Sequence, residues 1–207
     1  MSALDFMVPS VTDGVAVARS PMERKAKAAG ARFEVLDGWN VAVEYGQGAP
    51  EAPPVAWADV SHLRKFELQG DGVGHDFGTA TRDGERWWCP LTRTRALVIG
   101  GRDAPAGALD VTTCFAALTV LGPQARETIA RFCALDLRPH VSPPGSFRPG
   151  SIARQPGMIV VQGAERFLLL FGWAVGEYMW TVVEDAGRSL GGSPVGVDAL
   201  VEVPPDA

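Results

Sequence analysis

Within four positions, Asp59, Ser61 and His62 supply a carboxylate, a hydroxyl and an imidazole, the groups that make a nucleophile and its base. On an extended strand, neighbouring side chains point to opposite faces, so Ser61 and His62 would not converge there. The spacing fits a turn better, with Asp59 and Ser61 closing it through main-chain hydrogen bonds and His62 partly exposed. His62, His75 and His140 are far apart in sequence and do not predict a three-histidine metal centre. Gly70, Gly72 and Gly74 follow a strand as a phosphate-cradling loop would. No amphipathic helix comes next to supply N-terminal amides, so the stretch reads as a flexible connector. Cys89, Cys114 and Cys133 are odd in number and never in a CxxC pair, which favours small buried hydrophobes over a disulfide framework. Trp87 and Trp88 are adjacent on a strand and face opposite sides, and two readings stay open: core packing for both, or one in a core and the other covering a cleft or meeting a partner. In "DGWNVAVEYGQ", Trp39 sits in a turn and Tyr45 ends a β-prone run. Two readings stay open there: an aromatic clamp for a flat ligand, or a hairpin that packs on itself.

Composition narrows the chemistry. The 207 residues are 46% hydrophobic, enough to bury a substantial core as one domain or as two fused halves. A formal charge of −5 offers no footprint for phosphate backbones or anionic lipid, so nucleic acid is excluded as an expected partner. The longest apolar run, "FLLLFGWAV" over 167–175, is about half of the ~20 residues that a membrane-spanning helix needs. The start "MSALDFMVPS" lacks a basic stretch followed by an apolar one, and the expected compartment is the cytoplasm.

The elements that must position these residues follow from periodicity and punctuation. Ser20-Pro21-Met22-Glu23 has the form of a capping box with proline at the first helical position, and Gly30 ends the helix it opens. "ARFEVL" and "VAVEY" read as strands around the "DGWN" turn. "WADVSHLRKFELQG" predicts a single imperfect strand, 70–85 a long loop, and "RWWCPL" with "RALVIGG" an antiparallel pair. "ALDVTTCFAALTVLG" leads into a helix from Pro123 with Ala125, Ile129 and Phe132 on its apolar face. "RPHVSPPGSFRPGS" is a proline-rich loop. It predicts a stiffened docking element offering Arg138, His140, Phe147 and Arg148 to a partner. "MIVVQG" and "RFLLLF" are strands. The last helix carries Val175, Met179, Val182 and Val183 near one face. "DVSHLRKFELQGD" and "DVTTCFAALTVLGP" match with one residue inserted, which suggests two related halves rather than a parallel sheet.

"SPMERKAKAAGARFEVLDGWNVAVEYG" followed by "ADVSHLRKFELQG" resembles the start of the glycine-cleavage T-protein family of folate-binding aminomethyltransferases and demethylases. The matching residues are Ser20-Pro21, Gly30-Ala31, Gly38-Trp39, Tyr45 and Asp59-Val60-Ser61-His62. The second half, from "ALDVTTCFAALTVLG", is similar to the sarcosine oxidase gamma subunit. The resemblance implies an α+β fold of two interleaved β-rich halves with antiparallel sheets and flanking helices, lacking the family's C-terminal barrel. It implies a domain over 20–203, with 1–19 an extension and 204–207 a tail. It points to Trp39, Tyr45, Asp59, His62, Leu63, Trp88 and Arg95 as the ligand-binding set, with no catalytic residue assigned and no metal. Tetrahydrofolate is the ligand implied. However, the family's acidic pair is missing from "GERWWCPLTRTRALVIGG", and Leu168 stands where a pterin-binding Glu would be. Weak folate binding, or none, follows. The leading expectation is an accessory, non-catalytic subunit docking onto larger flavoprotein or folate-transfer subunits in one-carbon metabolism. The alternatives are a stand-alone tetrahydrofolate-dependent aminomethyl- or methyltransferase, and a small-molecule enzyme or binding protein on a remodelled cleft.

Overall fold

The computed structural model describes residues 11–12, 15–46, 53–71, 73–74 and 76–200. The first described elements are β1 (Val11–Thr12), β2 (Val15–Ala16) and β3 (Ala18–Arg19), then α1 (Glu23–Ala28), β4 (Ala31–Leu36) and β5 (Trp39–Tyr45). The middle holds β6 (Ala56–Asp59), β7 (Lys65–Gln69), β8 (Thr81–Asp83), β9 (Arg86–Thr92), β10 (Arg95–Ile99), β11 (Leu109–Asp110) and β12 (Phe115–Leu121). There follow α2 (Ala125–Ala130), β13 (Phe147–Ile152), β14 (Gln155–Gly163), β15 (Arg166–Gly172), α3 (Gly176–Arg188) and β16 (Ser193–Pro194).

A six-stranded sheet in the order β13-β14-β15-β12-β6-β16 forms the middle layer. Its residues alternate between two cores. Trp57, Leu118, Val120, Ile159, Val161, Phe167, Leu169 and Phe171 face the helices, where Met22, Ala26, Ile129, Met179, Trp180 and Val183 meet them. Ala58, Ala117, Val160, Leu168 and Leu170 face the other way, against Cys89, Leu97 and Ile99 of the five-stranded sheet β11-β7-β10-β9-β8. Burial on both faces is why "RFLLLF" is continuously apolar rather than alternating. Gly187 of α3 lies so close to the sheet that a Cβ there would meet the Trp57 ring at 2.7 Å. The fold is thus α+β, mainly antiparallel, with two short parallel pairs, β3–β5 and β16–β6, at sheet edges.

The two halves interlock through the repeated motif. Asp59 Oδ1 accepts the Ser61 amide at 3.0 Å, and Asp110 Oδ1 accepts the Thr112 amide at 2.9 Å. The Ser61 hydroxyl then accepts the Ala117 amide, while the Thr112 hydroxyl accepts the Lys65 amide. Backbone bonds run alongside, from the Val60 amide to the Ala117 carbonyl and from the Val111 amide to the Lys65 carbonyl. Each Asp-Val-Ser/Thr turn therefore caps the strand that follows the other copy.

Several expectations change. Strands β1 to β3 precede Ser20, with Val11 paired to Ala16 and Ala18 paired to Trp39. The Ser20 hydroxyl accepts the Met22 amide at 3.0 Å, but Glu23 does not complete a capping box. Its buried carboxylate takes Asn40 Nδ2 at 3.1 Å and pairs with Lys27. Trp39 is the first residue of β5, since Asp37 and Gly38, with φ of 48° and 79°, make the two-residue turn. The segment 56–69 is two strands in different sheets, broken at the Asp59–Ser61 turn. The proline-rich loop ends in β13, and Phe147 has no solvent exposure, so it is core and offers nothing to a partner. Arg148 is spent inside the protein as well, donating to the Gly78, Val141 and Phe147 carbonyls and to Ser142 Oγ.

Candidate functional site

The turn between β6 and β7 and the strand ends beside it bring together three buried polar residues, Asp59, Ser61 and Lys65. Lys65 is fully buried, and its Nζ donates to the Ser61 and Leu63 carbonyls at 2.8 Å each. It thus clamps the backbone on both sides of His62. Burial pushes the Lys65 ammonium down to about 8, with Asp59 and Asp110 pulling the other way. Asp59 is buried too. Desolvation raises its pKa, against hydrogen bonds from Ser20 and Ser61 and the nearby charge of Lys65. Burial also pushes His62 down to about 4, and Lys65 lowers it further while Asp37 opposes the shift. The imidazole is therefore neutral at pH 7.

His62 separates two cavities. The outer one, about 250 Å³, is lined by Asp37, His62, Leu63, Arg64, Glu85, Arg102 and the Gly100-Gly101 backbone. The inner one, about 10 Å³, lies among Ser20, Trp39, Asn40, Asp59 and His62 and holds no more than a single water. A neutral imidazole can donate and accept hydrogen bonds in the outer cavity. A base this weak sits far from the matched pKa that general-base catalysis at neutral pH needs. The arrangement suits binding or structural polarity more than proton transfer.

Four of the seven expected ligand-binding residues gather here: Trp39, Asp59, His62 and Leu63. Trp39 is 7% exposed and packs edge-on against Trp173, with centroids 5.8 Å apart, rather than opening onto a cleft. Tyr45 lies six residues further along β5, about 20 Å of strand at ~3.3 Å per residue. That separation rules out Trp39 and Tyr45 as two faces of one clamp. The hairpin packs on the protein itself. The Tyr45 hydroxyl is buried with no hydrogen-bond partner among the described residues, and burial raises its pKa. Trp88 donates its indole N–H to the Val73 carbonyl at 3.2 Å. Arg95 is exposed and forms a two-pronged pair with Glu67, at 3.0 and 2.7 Å. Both stand on the five-stranded sheet and line neither cavity. Sequence reasoning missed Lys65, Asn40, Asp37 and Arg102. A lysine between Leu63 and Phe66 in a strand-like stretch was the one available signal for the first.

His75 lies outside the described residues. Among those described, no cluster of three His, Cys, Asp or Glu side chains could hold a metal ion. Around His62, and at the position that the resemblance assigns to a pterin contact, the residues present do not fit a pterin. Leu168 is wholly buried in β15 between Thr119 and Val160, so that position offers neither an acceptor nor access. The cavity beside His62 is smaller than the ~300 Å³ at which ligand pockets begin.

No family model matches the sequence, and no curated protein matches it. Among solved structures, the chain is similar to one in the heterotetrameric sarcosine oxidase from Corynebacterium sp. U-96 in complex with pyrrole 2-carboxylate. The TM-score is 0.67 at 17% identity, covering 86% of this chain and 98% of that one. It is also similar to the glycine cleavage system aminomethyltransferase T from Bartonella henselae. Here the TM-score is 0.61 at 16% identity, covering 89% of this chain and 61% of that one. The fold is that of a T-protein-like domain.

Proposed function

We propose that this protein is an accessory, non-catalytic subunit of an amine-oxidising or demethylating complex, docking onto a larger flavoprotein or folate-transfer subunit. The observation that carries the reading is the near-complete overlay on one chain of a heterotetrameric oxidase, 98% of which is covered. The site chemistry agrees with it. His62 is held neutral and weakly basic, Asp59 is buried, and the position expected to contact a pterin is a core leucine.

A second reading, a stand-alone tetrahydrofolate-dependent aminomethyl- or methyltransferase, draws on the likeness to the aminomethyltransferase. The two separate on titration calorimetry of the isolated full chain with tetrahydrofolate. The accessory reading predicts a dissociation constant above ~100 µM, because pterin donors left without a carboxylate cost ~1–3 kcal/mol each. Low-micromolar binding would put the transferase first.

A further inference from the structure

The turn between β13 and β14 is built from residues that do not favour it. Ile152 pairs with Gln155, so Ala153 and Arg154 are the two turn residues, with φ of 48° and 64°. Such turns favour Asn-Gly, because a Cβ at positive φ costs ~1 kcal/mol or more per residue. Here the conformation is pinned from outside. The Tyr178 hydroxyl of α3 donates to the Ala153 carbonyl at 3.1 Å, and the Ala153 amide donates to the Phe132 carbonyl at 2.9 Å.

What the strained turn presents is Arg154, which is exposed and makes no hydrogen bond or ion pair among the described residues. It stands on the rim of an open cleft of about 500 Å³ with Phe132 and Val182 in its lining, and Arg131 and Tyr178 beside it. No carboxylate lines this cleft, although the whole chain carries a net charge of −5. Glu127 reaches only Arg131, at 3.7 Å, and leaves Arg154 unneutralised. Tyrosine and arginine around an apolar floor are the side chains that interface hot spots favour, and the local charge asks for an acidic counterpart.

Resting on the accessory-subunit reading, we infer that this cleft is the docking surface for an acidic segment of the companion subunit, with Arg154 its anchoring cation. The full chain, purified from its source with its companion, tests this with two variants. Arg154→Gly removes the charge and suits the left-handed position, so its thermal midpoint rises while the companion's dissociation constant rises by at least ~30-fold. Arg154→Lys keeps the charge and supplies an amine. Zero-length carbodiimide coupling then joins Lys at position 154 to an Asp or Glu of the companion, identified by mass spectrometry. If the wild type brings a companion and Arg154→Gly binds it equally well, or the Arg154→Lys form couples to no companion carboxylate, this inference falls and the accessory reading stands. If Arg154→Gly loses instead a small carboxylic acid bound to the purified chain, the cleft is a ligand pocket and the docking proposal falls. If the wild type has no companion at all, both fall.

Discussion

His62 shows how a residue chosen for chemistry is turned to another use by its surroundings. Its neighbours on both sides are clamped by Lys65, and burial holds its folded pKa at about 4, below the ordinary 6.5. Between those values the unfolded chain binds the proton and the folded one does not, so stability rises with pH in that window and is lost as pH falls from 6.5 towards 4. We expect His62→Gln to remove about 2 kcal/mol of that acid loss, after allowing for the part-exposed ring, measured by urea unfolding at pH 4.5 and 7. An unchanged pH profile would mean that the imidazole is not buried as described. Tyr45 makes a second prediction. Its buried hydroxyl has no partner among the described residues, so Tyr45→Phe raises stability by ~1 kcal/mol in the same assay, and a loss would indicate a partner for that hydroxyl.

Among the elements, the reciprocal turns are the most informative. Ser61 and Thr112 each satisfy an amide at the other copy's strand. Removing either hydroxyl leaves a buried N–H unpaired, and Ser61→Ala and Thr112→Val should each cost ~1–3 kcal/mol. The motif's duplication was legible in the sequence, because Asp-Val-Ser and Asp-Val-Thr repeat with one inserted residue. Its crossed partnership was not, since pairing between residues some fifty positions apart leaves no local periodicity. The same limit explains the misread stretch 56–69. Leu63, Phe66 and Leu68 suggest one strand, yet the turn at Asp59 sends Asp59 and Lys65 into different sheets. By contrast, "ARFEVL", "VAVEY" and "RALVI" are legible in the sequence and form strands, because turn residues bound them. The place of Phe147 at the start of β13 is not legible, because proline spacing marks a loop without marking where it re-enters a sheet.

For the whole molecule, the two-sided burial of the six-stranded sheet accounts for both the fold and the fate of the site. A leucine at position 168 packs between layers, and the polar residues that remain near His62 surround a cavity of about 250 Å³. The structure divides the candidate set gathered from sequence into two groups. Trp39, Asp59, His62 and Leu63 converge, while Tyr45, Trp88 and Arg95 serve packing, an indole hydrogen bond and a surface ion pair. Such a molecule has the architecture of a T-protein-like domain. The most direct test of the accessory role is native mass spectrometry of the chain purified from its source at physiological salt. The account predicts an assembly well above the chain's own 22.0 kDa, containing a larger flavin-bearing or folate-transfer companion in fixed ratio. A lone 22.0 kDa species would contradict it, and turnover of a methylated amine with tetrahydrofolate by that species would put the transferase in its place.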